Sequence, residues 1–288
     1  MDRSKIKMTK NQISGYIDTP IDLESSLCGG QSFRWMIKNK RFRGVIRNVI
    51  IEFQQKDRGI CWNSYNNDDL NFINQIIAEY LDLNFDLKKF SERNLKDIAI
   101  QSSLDKYYGL RILNQDPWEC LVSFICSAAS NLNKITKNVQ SIMKIGEKIG
   151  PEEIDYIFPS PQKILTFGEL KLRNLGLGFR APYVIDAALK IIEEKINLQS
   201  LKFSSYDISK KKLMMINGVG EKIADCVLAF SLNFSNAFPV DRWVRRSLIN
   251  QYNLSEKLNN HELGDWARKR FKDDGSYVQQ YLFHNIKN

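Results

Sequence analysis

The stretch from Leu213 to Cys226 narrows what this chain can fold into more than any other segment. Two apolar helical patterns flank a tight Asn217-Gly218-Val219-Gly220 turn. The paired glycines supply backbone conformations that L side chains avoid. The segment therefore reads as a short αα-hairpin. Its second helix would start with open backbone N–H groups and the positive end of the helix dipole, an arrangement that suits phosphate. A plain structural hairpin would use the same turn, so the turn alone leaves both readings open.

Charge leans toward the phosphate reading. The 288 residues carry 42 Lys and Arg against 33 Asp and Glu, a formal net charge of +9. The excess sits at the two ends, with net +6 in residues 1–58 and net +5 in residues 209–288. A basic chain makes a polyanion a candidate partner, although many basic proteins bind none. There is no apolar run long enough to span a bilayer and no apolar leader near Met1, so no membrane partner is expected. An intracellular address follows, cytoplasmic for a prokaryotic source and nuclear for a eukaryotic one. The five cysteines are odd in number and form no CxxC pair, which fits reduced thiols. With two histidines, His261 and His284, zinc sites of the usual spacing are not expected.

The texture of the chain changes near residues 95–100. Before that point, Phe33–Ile37, Arg41–Ile46 and Val49–Phe53 are short, aromatic and β-branched, with turn-prone Lys38-Asn39-Lys40 and Arg47-Asn48 between them. They read as an antiparallel meander. Asp68-Asp69 then precedes a helical pattern through Leu70, Ile73, Ile77 and Tyr80. Beyond that point, periods near 3.6 punctuated by prolines dominate. The expected architecture is α+β: an N-terminal antiparallel β domain over 1–98, then a mostly helical domain over 99–288.

Nineteen residues after Lys222 stands Asp241, inside Phe238-Pro239-Val240-Asp241-Arg242-Trp243. A hairpin followed by a Pro-Val-Asp segment resembles the helix-hairpin-helix DNA glycosylase superfamily. Chemistry gives these two residues a purpose. Breaking an N-glycosidic bond builds positive charge on the sugar, which a nearby carboxylate stabilises. A neutral amine can attack C1′ and form a Schiff base. The resemblance implies that Lys222 is that amine, Asp241 that carboxylate, and the enzyme both a glycosylase and a strand-nicking lyase. Read without it, Lys222 is equally a phosphate contact or a solvated lysine, and Asp241 an N-cap.

Three further stretches are similar to one branch, the 8-oxoguanine DNA glycosylase family. They are Gly30-Gln31-Ser32-Phe33-Arg34-Trp35, Asp116–Ser127 and Leu175–Tyr183. Oxidised guanine differs from guanine mainly at N7, which becomes a donor, and at O8. The resemblance implies that the Gly30 carbonyl accepts from N7–H. It likewise implies that Cys226 and Phe283 cover the two faces of the flipped base and that Gln279 reaches its edge. From the residues alone, Gly29-Gly30 is an ordinary turn, and Cys226 and Phe283 fit core packing just as well. Gly218 and Gly220 of the turn are expected at the phosphates. Arg242, Arg245 and Arg246 share a helix face and, with Lys210, Lys211 and Lys212, are phosphate contacts or a solvated surface.

Departures from the family fall where the opposite strand is read. Of the eukaryotic asparagine run only Asn131 survives in register, and Lys134 stands where those enzymes have arginine. Arg180 matches the second cytosine-reading arginine, and Trp243 replaces a histidine. Preference for cytosine opposite the lesion is therefore expected to be weaker. No cysteine follows Cys226, which excludes the iron–sulfur cluster of neighbouring branches. No cofactor is expected, although hairpin carbonyls leave room for a monovalent or alkaline-earth cation. The reading is a monomeric 8-oxoguanine glycosylase and lyase acting on double-stranded DNA that contains oxidised guanine. The alternatives are a glycosylase for alkylated bases and a non-catalytic hairpin module that only binds DNA.

Overall fold

In the computed structural model, which describes residues 12–65 and 69–287, the N-terminal part is a five-stranded antiparallel sheet. Its strands are β1 (Ile13–Ile17), β2 (Met36–Lys38), β3 (Arg41–Ile46), β4 (Val49–Gln55) and β5 (Ile60–Ser64), in the order β1-β5-β4-β3-β2. The expected meander is β2 to β4. Asn39 and Lys40, and then Arg47 and Asn48, all have positive φ. That is the two-residue hairpin turn whose twist matches the strands. β2 begins three residues later than the pattern suggests, because Phe33, Arg34 and Trp35 leave the strand direction to enter buried contacts.

Helix α1 (Leu23–Cys28) lies between β1 and β2. After the sheet come α2 (Leu70–Tyr80), α3 (Leu87–Arg93) and α4 (Ile98–Tyr107), then α5 (Pro117–Ile125) and α6 (Leu132–Met143). Next are α7 (Pro161–Phe167), α8 (Glu169–Leu172), α9 (Ala181–Ile192) and α10 (Leu198–Leu201). The chain ends with α11 (Tyr206–Met214), α12 (Glu221–Ser231), α13 (Arg242–Tyr252), α14 (Asn260–Phe271) and α15 (Gly275–Lys287). Side-chain caps start many of them: Asp69 accepts from the N–H of Asn71 and Phe72, and Asp116 from that of Glu119. Asp68, the other half of the expected cap pair, lies outside the described residues.

Two apolar cores result. One joins the inner face of the sheet to α1 and α2 through Trp35, Phe53, Trp62, Ile73 and Ile77. The other fills the helical part. We keep 1–98 and 99–288 as a proposed division. Leu87 and Phe90 pack into the helical core and Leu113 into that of the sheet, so it is a change of texture rather than a gap in packing.

Buried polar contacts fix how the two parts meet. The Gln31 side chain donates to the Arg111 carbonyl and accepts from Leu113 N–H, while its own carbonyl accepts from Gln115. Arg43 pairs with Asp155 through two nitrogens at 2.9 and 2.8 Å. Arg34 pairs with Glu119 at 2.7 Å and donates to the Tyr156 carbonyl at 2.8 Å. The segment that carries Gly30 is thus bolted to the start of α5.

Burial lifts the Glu119 carboxyl from about 4.5 to about 7, with Arg34 opposing and Asp116 reinforcing. Between those values the folded protein keeps a proton that the unfolded chain has released. The stabilisation from this group is complete below the unfolded value and is lost as pH rises through the folded one. We expect the melting temperature of Glu119→Gln to change less between about pH 5 and about pH 8 than that of the parent protein. Parallel slopes in thermal melts across that window would refute this.

Candidate active site

The hairpin forms as its sequence requires. Gly218 has φ +79, and a Cβ there would lie 2.2 Å from the Tyr183 ring, so the turn is pressed onto α9. Asn217 N–H donates to Asp186 Oδ2 at 2.7 Å and anchors it further. Gly220 is the N-cap of α12 and offers no side-chain cap, and the space where its Cβ would sit is open. The first N–H groups of α12 are therefore left for another partner.

Lys222 follows in the first turn of α12, beside a cavity of about 900 Å³. Its Nζ donates to Ser127 Oγ at 3.2 Å and lies 5.1 Å from the centre of the Phe124 ring. Asp241 is the N-cap of α13, and its Oδ1 accepts from Trp243 and Val244 N–H, both at 2.9 Å. One carboxylate oxygen therefore organises the helix while Oδ2 takes no part in the cap. Cys226, one turn after Lys222, is buried against the same cavity. Burial pushes its thiol up to about 12, so the sulfur is a neutral, polarisable surface.

Opposite stands Gly30, with φ +111. The adjacent glycine is needed for space, since a Cβ on Gly29 would lie 2.2 Å from the Ser25 carbonyl oxygen. A Cβ on Gly30 would meet Leu132 at 3.5 Å and the Phe283 ring at 3.7 Å, so Gly30 faces Phe283 on α15. Gln279, one turn earlier, is buried on the same wall. Its Nε2 donates to the Pro239 carbonyl at 3.1 Å and its Oε1 accepts from Gln280 at 2.8 Å, which holds the amide in place.

Of the residues singled out in the sequence, Gly30, Asn131, Gly220, Lys222, Cys226, Asp241, Arg242, Gln279 and Phe283 line this one cavity. Arg242 is exposed at the rim, its guanidinium 4.8 Å from the Trp243 ring. Asn131 is exposed too, with Oδ1 capping α6. Others are engaged elsewhere. Arg180 is buried and donates to the Ala128 and Ala129 carbonyls, so it props the loop under the cavity. Arg245 donates to the carbonyls of Leu258 and Glu256, at 2.6 and 2.7 Å, and holds the turn before α14. Arg246 is exposed on α13 outside the lining.

Lys210 corrects the expectation for the lysine run. It is 7% exposed and donates to Asp225 and Glu221, both at 3.1 Å, between the two hairpin helices. It therefore fastens the hairpin rather than meeting phosphate. Ser127, Phe124 and Trp243 also line the cavity, and none of them was expected to do so from the sequence. The available signal was Pro117 after Asp116, which marks where α5 starts and hence which residues lie at its far end.

Among the described residues, no group of three or more His, Cys, Asp or Glu side chains is placed to hold a metal ion. No helix among them is long and apolar enough to cross a membrane.

Comparison with known proteins adds a second line of observation. Residues 16–121 match the family model for the 8-oxoguanine DNA glycosylase N-terminal domain. A probable N-glycosylase/DNA lyase of Methanothermobacter thermautotrophicus is 31% identical over 232 residues, 73% of each chain. An N-glycosylase/DNA lyase of Saccharomyces cerevisiae is 32% identical over 270 residues, 82% of this chain and 70% of the yeast protein. Among solved structures, the Clostridium acetobutylicum 8-oxoguanine glycosylase/lyase, bound to DNA with cytosine opposite the lesion, superposes with TM-score 0.89 at 29% identity. The match covers 97% of this chain and 96% of that one. A 3-methyladenine DNA-glycosylase from Archaeoglobus fulgidus has the same fold, with TM-score 0.78 at 18% identity over 96% of this chain and 98% of that one.

The double use of Asp241 can be separated by substitution. Asp241→Ala removes the cap and is expected to lower stability by about 1 kcal/mol, whereas Asp241→Asn keeps an acceptor and most of that stability. Urea denaturation of the three proteins measures the difference. Equal losses in both variants would mean that the charge, not the cap, carries the stability.

Proposed function

Because the chain belongs to the 8-oxoguanine DNA glycosylase family, whose members act on damaged DNA, we propose that it excises 8-oxoguanine from duplex DNA and then nicks the strand. The observation that carries this reading is the convergence of Lys222, Asp241, Gly30, Cys226 and Phe283 on one cavity. The hairpin that bears Lys222 leaves its first N–H groups open beside that cavity. The name N-glycosylase/DNA lyase, carried by the archaeal and yeast relatives, supports the second activity.

The target nucleotide turns out of the duplex into the cavity, where its base lies between Cys226 and Phe283. The Gly30 carbonyl accepts from N7–H. With guanine the same carbonyl would face an acceptor, and leaving it unpaired costs ~1–3 kcal/mol. Gln279, held by Pro239 and Gln280, offers its amide to the base edge. Lys222 Nζ forms a bond to C1′ as the C1′–N9 bond breaks, and the base leaves with the bonding electron pair and takes up a proton. Asp241 offsets the positive charge that gathers on the sugar. Loss of a proton from nitrogen with opening of the sugar ring gives the Schiff base. Removal of a C2′ proton then expels the 3′ phosphate. The α12 amides and Arg242 hold neighbouring phosphates, an attraction that weakens with salt.

Borohydride trapping tests this directly. On duplexes containing 8-oxoguanine, an alkylated base or plain guanine, a covalent adduct is expected only with 8-oxoguanine, and not with Lys222→Gln. Base release without an adduct would favour an alkyl-base enzyme. Binding with neither would leave a hairpin module. Gly30→Ala, at a positive φ, is expected to lower excision of the lesion or its preference over guanine and to leave affinity for undamaged duplex nearly unchanged. Collapse of that affinity would remove Gly30 from the lesion-reading role.

A further inference from the structure

The amine of Lys222 rests in a seat built by the end of α5. Ser127 Oγ donates its single proton to the Phe124 carbonyl at 2.7 Å, and Ser127 N–H donates to the same carbonyl at 3.0 Å. With that proton committed, Oγ can only accept, and it accepts from Lys222 at 3.2 Å. The amine also lies over the face of the Phe124 ring, 5.1 Å from its centre. A ring face attracts a cation and, more weakly, an N–H group. The ring is itself wedged, 5.8 Å edge-on to Phe33 and 5.6 Å from Phe230.

We propose that Ser127 and Phe124 are positioning residues that aim the Lys222 lone pair into the lesion cavity. This rests on Lys222 being the nucleophile. A neutral amine has two N–H bonds and one lone pair around a tetrahedral nitrogen. Ser127 Oγ holds one N–H, and the Phe124 ring and the Cys226 thiol flank the nitrogen, so few directions are left to the lone pair and the open one leads into the cavity. Without Ser127 the nitrogen rotates about its last C–N bond, and the lone pair samples directions that do not lead to C1′. Phe124 adds a second constraint. Its ring touches Phe33, three residues from Gly30, so one side chain sets both the amine and the segment proposed to read the base.

The test is single-turnover kinetics on an 8-oxoguanine duplex, with affinity measured separately on a duplex carrying a tetrahydrofuran abasic analogue. Ser127→Ala is expected to slow base release and borohydride trapping by roughly tenfold, a barrier change of about 1.4 kcal/mol. Affinity for the analogue stays within about twofold and the melting temperature changes little, since the lost contact is made to the Lys222 amine and not to the duplex. Ser127→Thr, which keeps the hydroxyl, recovers most of the rate. Phe124→Leu slows the same two steps. Unchanged rates in Ser127→Ala overturn the proposal, as does a loss of rate matched by losses of affinity and melting temperature, or a threonine variant no better than alanine. The parent protein is the control: if it forms no adduct on any lesion, the reading of Lys222 as nucleophile fails first and this inference falls with it.

Discussion

The buried pairing of Arg34 with Glu119 joins the segment that carries Gly30 to the first turn of α5. A buried ion pair is a weak source of net stability, because both charges give up water to form it. What it supplies is direction. Two guanidinium nitrogens are committed, one to the carboxylate and one to the Tyr156 carbonyl, so the segment has little freedom to slide. Gln31, with no exposed surface, adds backbone contacts on the same side. At the far end of α5, Phe124 and Ser127 meet Lys222. Nine helical residues span ~13 Å. All nine residues of α5 are buried, so the helix cannot shift without opening the core.

Several side chains in and around the cavity serve structure and site together. Asp241 starts α13 with the oxygen that accepts two N–H groups. Arg180 supports the loop that forms the cavity floor. Lys210, Asp225 and Tyr206 lock α11 to α12, with Tyr206 donating to Asp225 at 2.6 Å, so the hairpin that bears Lys222 is rigid on both sides. The groups described in contact with the amine, Ser127, Phe124 and Cys226, are neutral. The Cys226 thiol stays protonated because it is buried.

Local rules made part of this legible. The Gly218 turn, the Asp69 and Asp241 caps and the paired turns at Asn39 and Arg47 each depend on a few neighbouring residues, and each stands where the sequence puts it. The strands β1 and β5 were not singled out. Their recognition depends on partners far along the chain, as in the pairing of Ile13 with Ser64. Charge was the least readable signal. Lys210, Arg180 and Arg245 look like surface cations in the sequence, yet each is committed to carbonyl or carboxylate groups within the fold.

The sequence by itself determined the hairpin, the spacing from Lys222 to Asp241, the caps and the family resemblance, because these are local or depend on order along the chain. Only the tertiary structure decided which side of α5 faces the lysine, which arginines remain exposed, and that Gly30 and Phe283 stand next to each other in the lining of one cavity. Those outcomes follow from packing between residues tens to hundreds of positions apart, where shape and the need to pair every buried polar group select one arrangement. No short-range pattern encodes that choice.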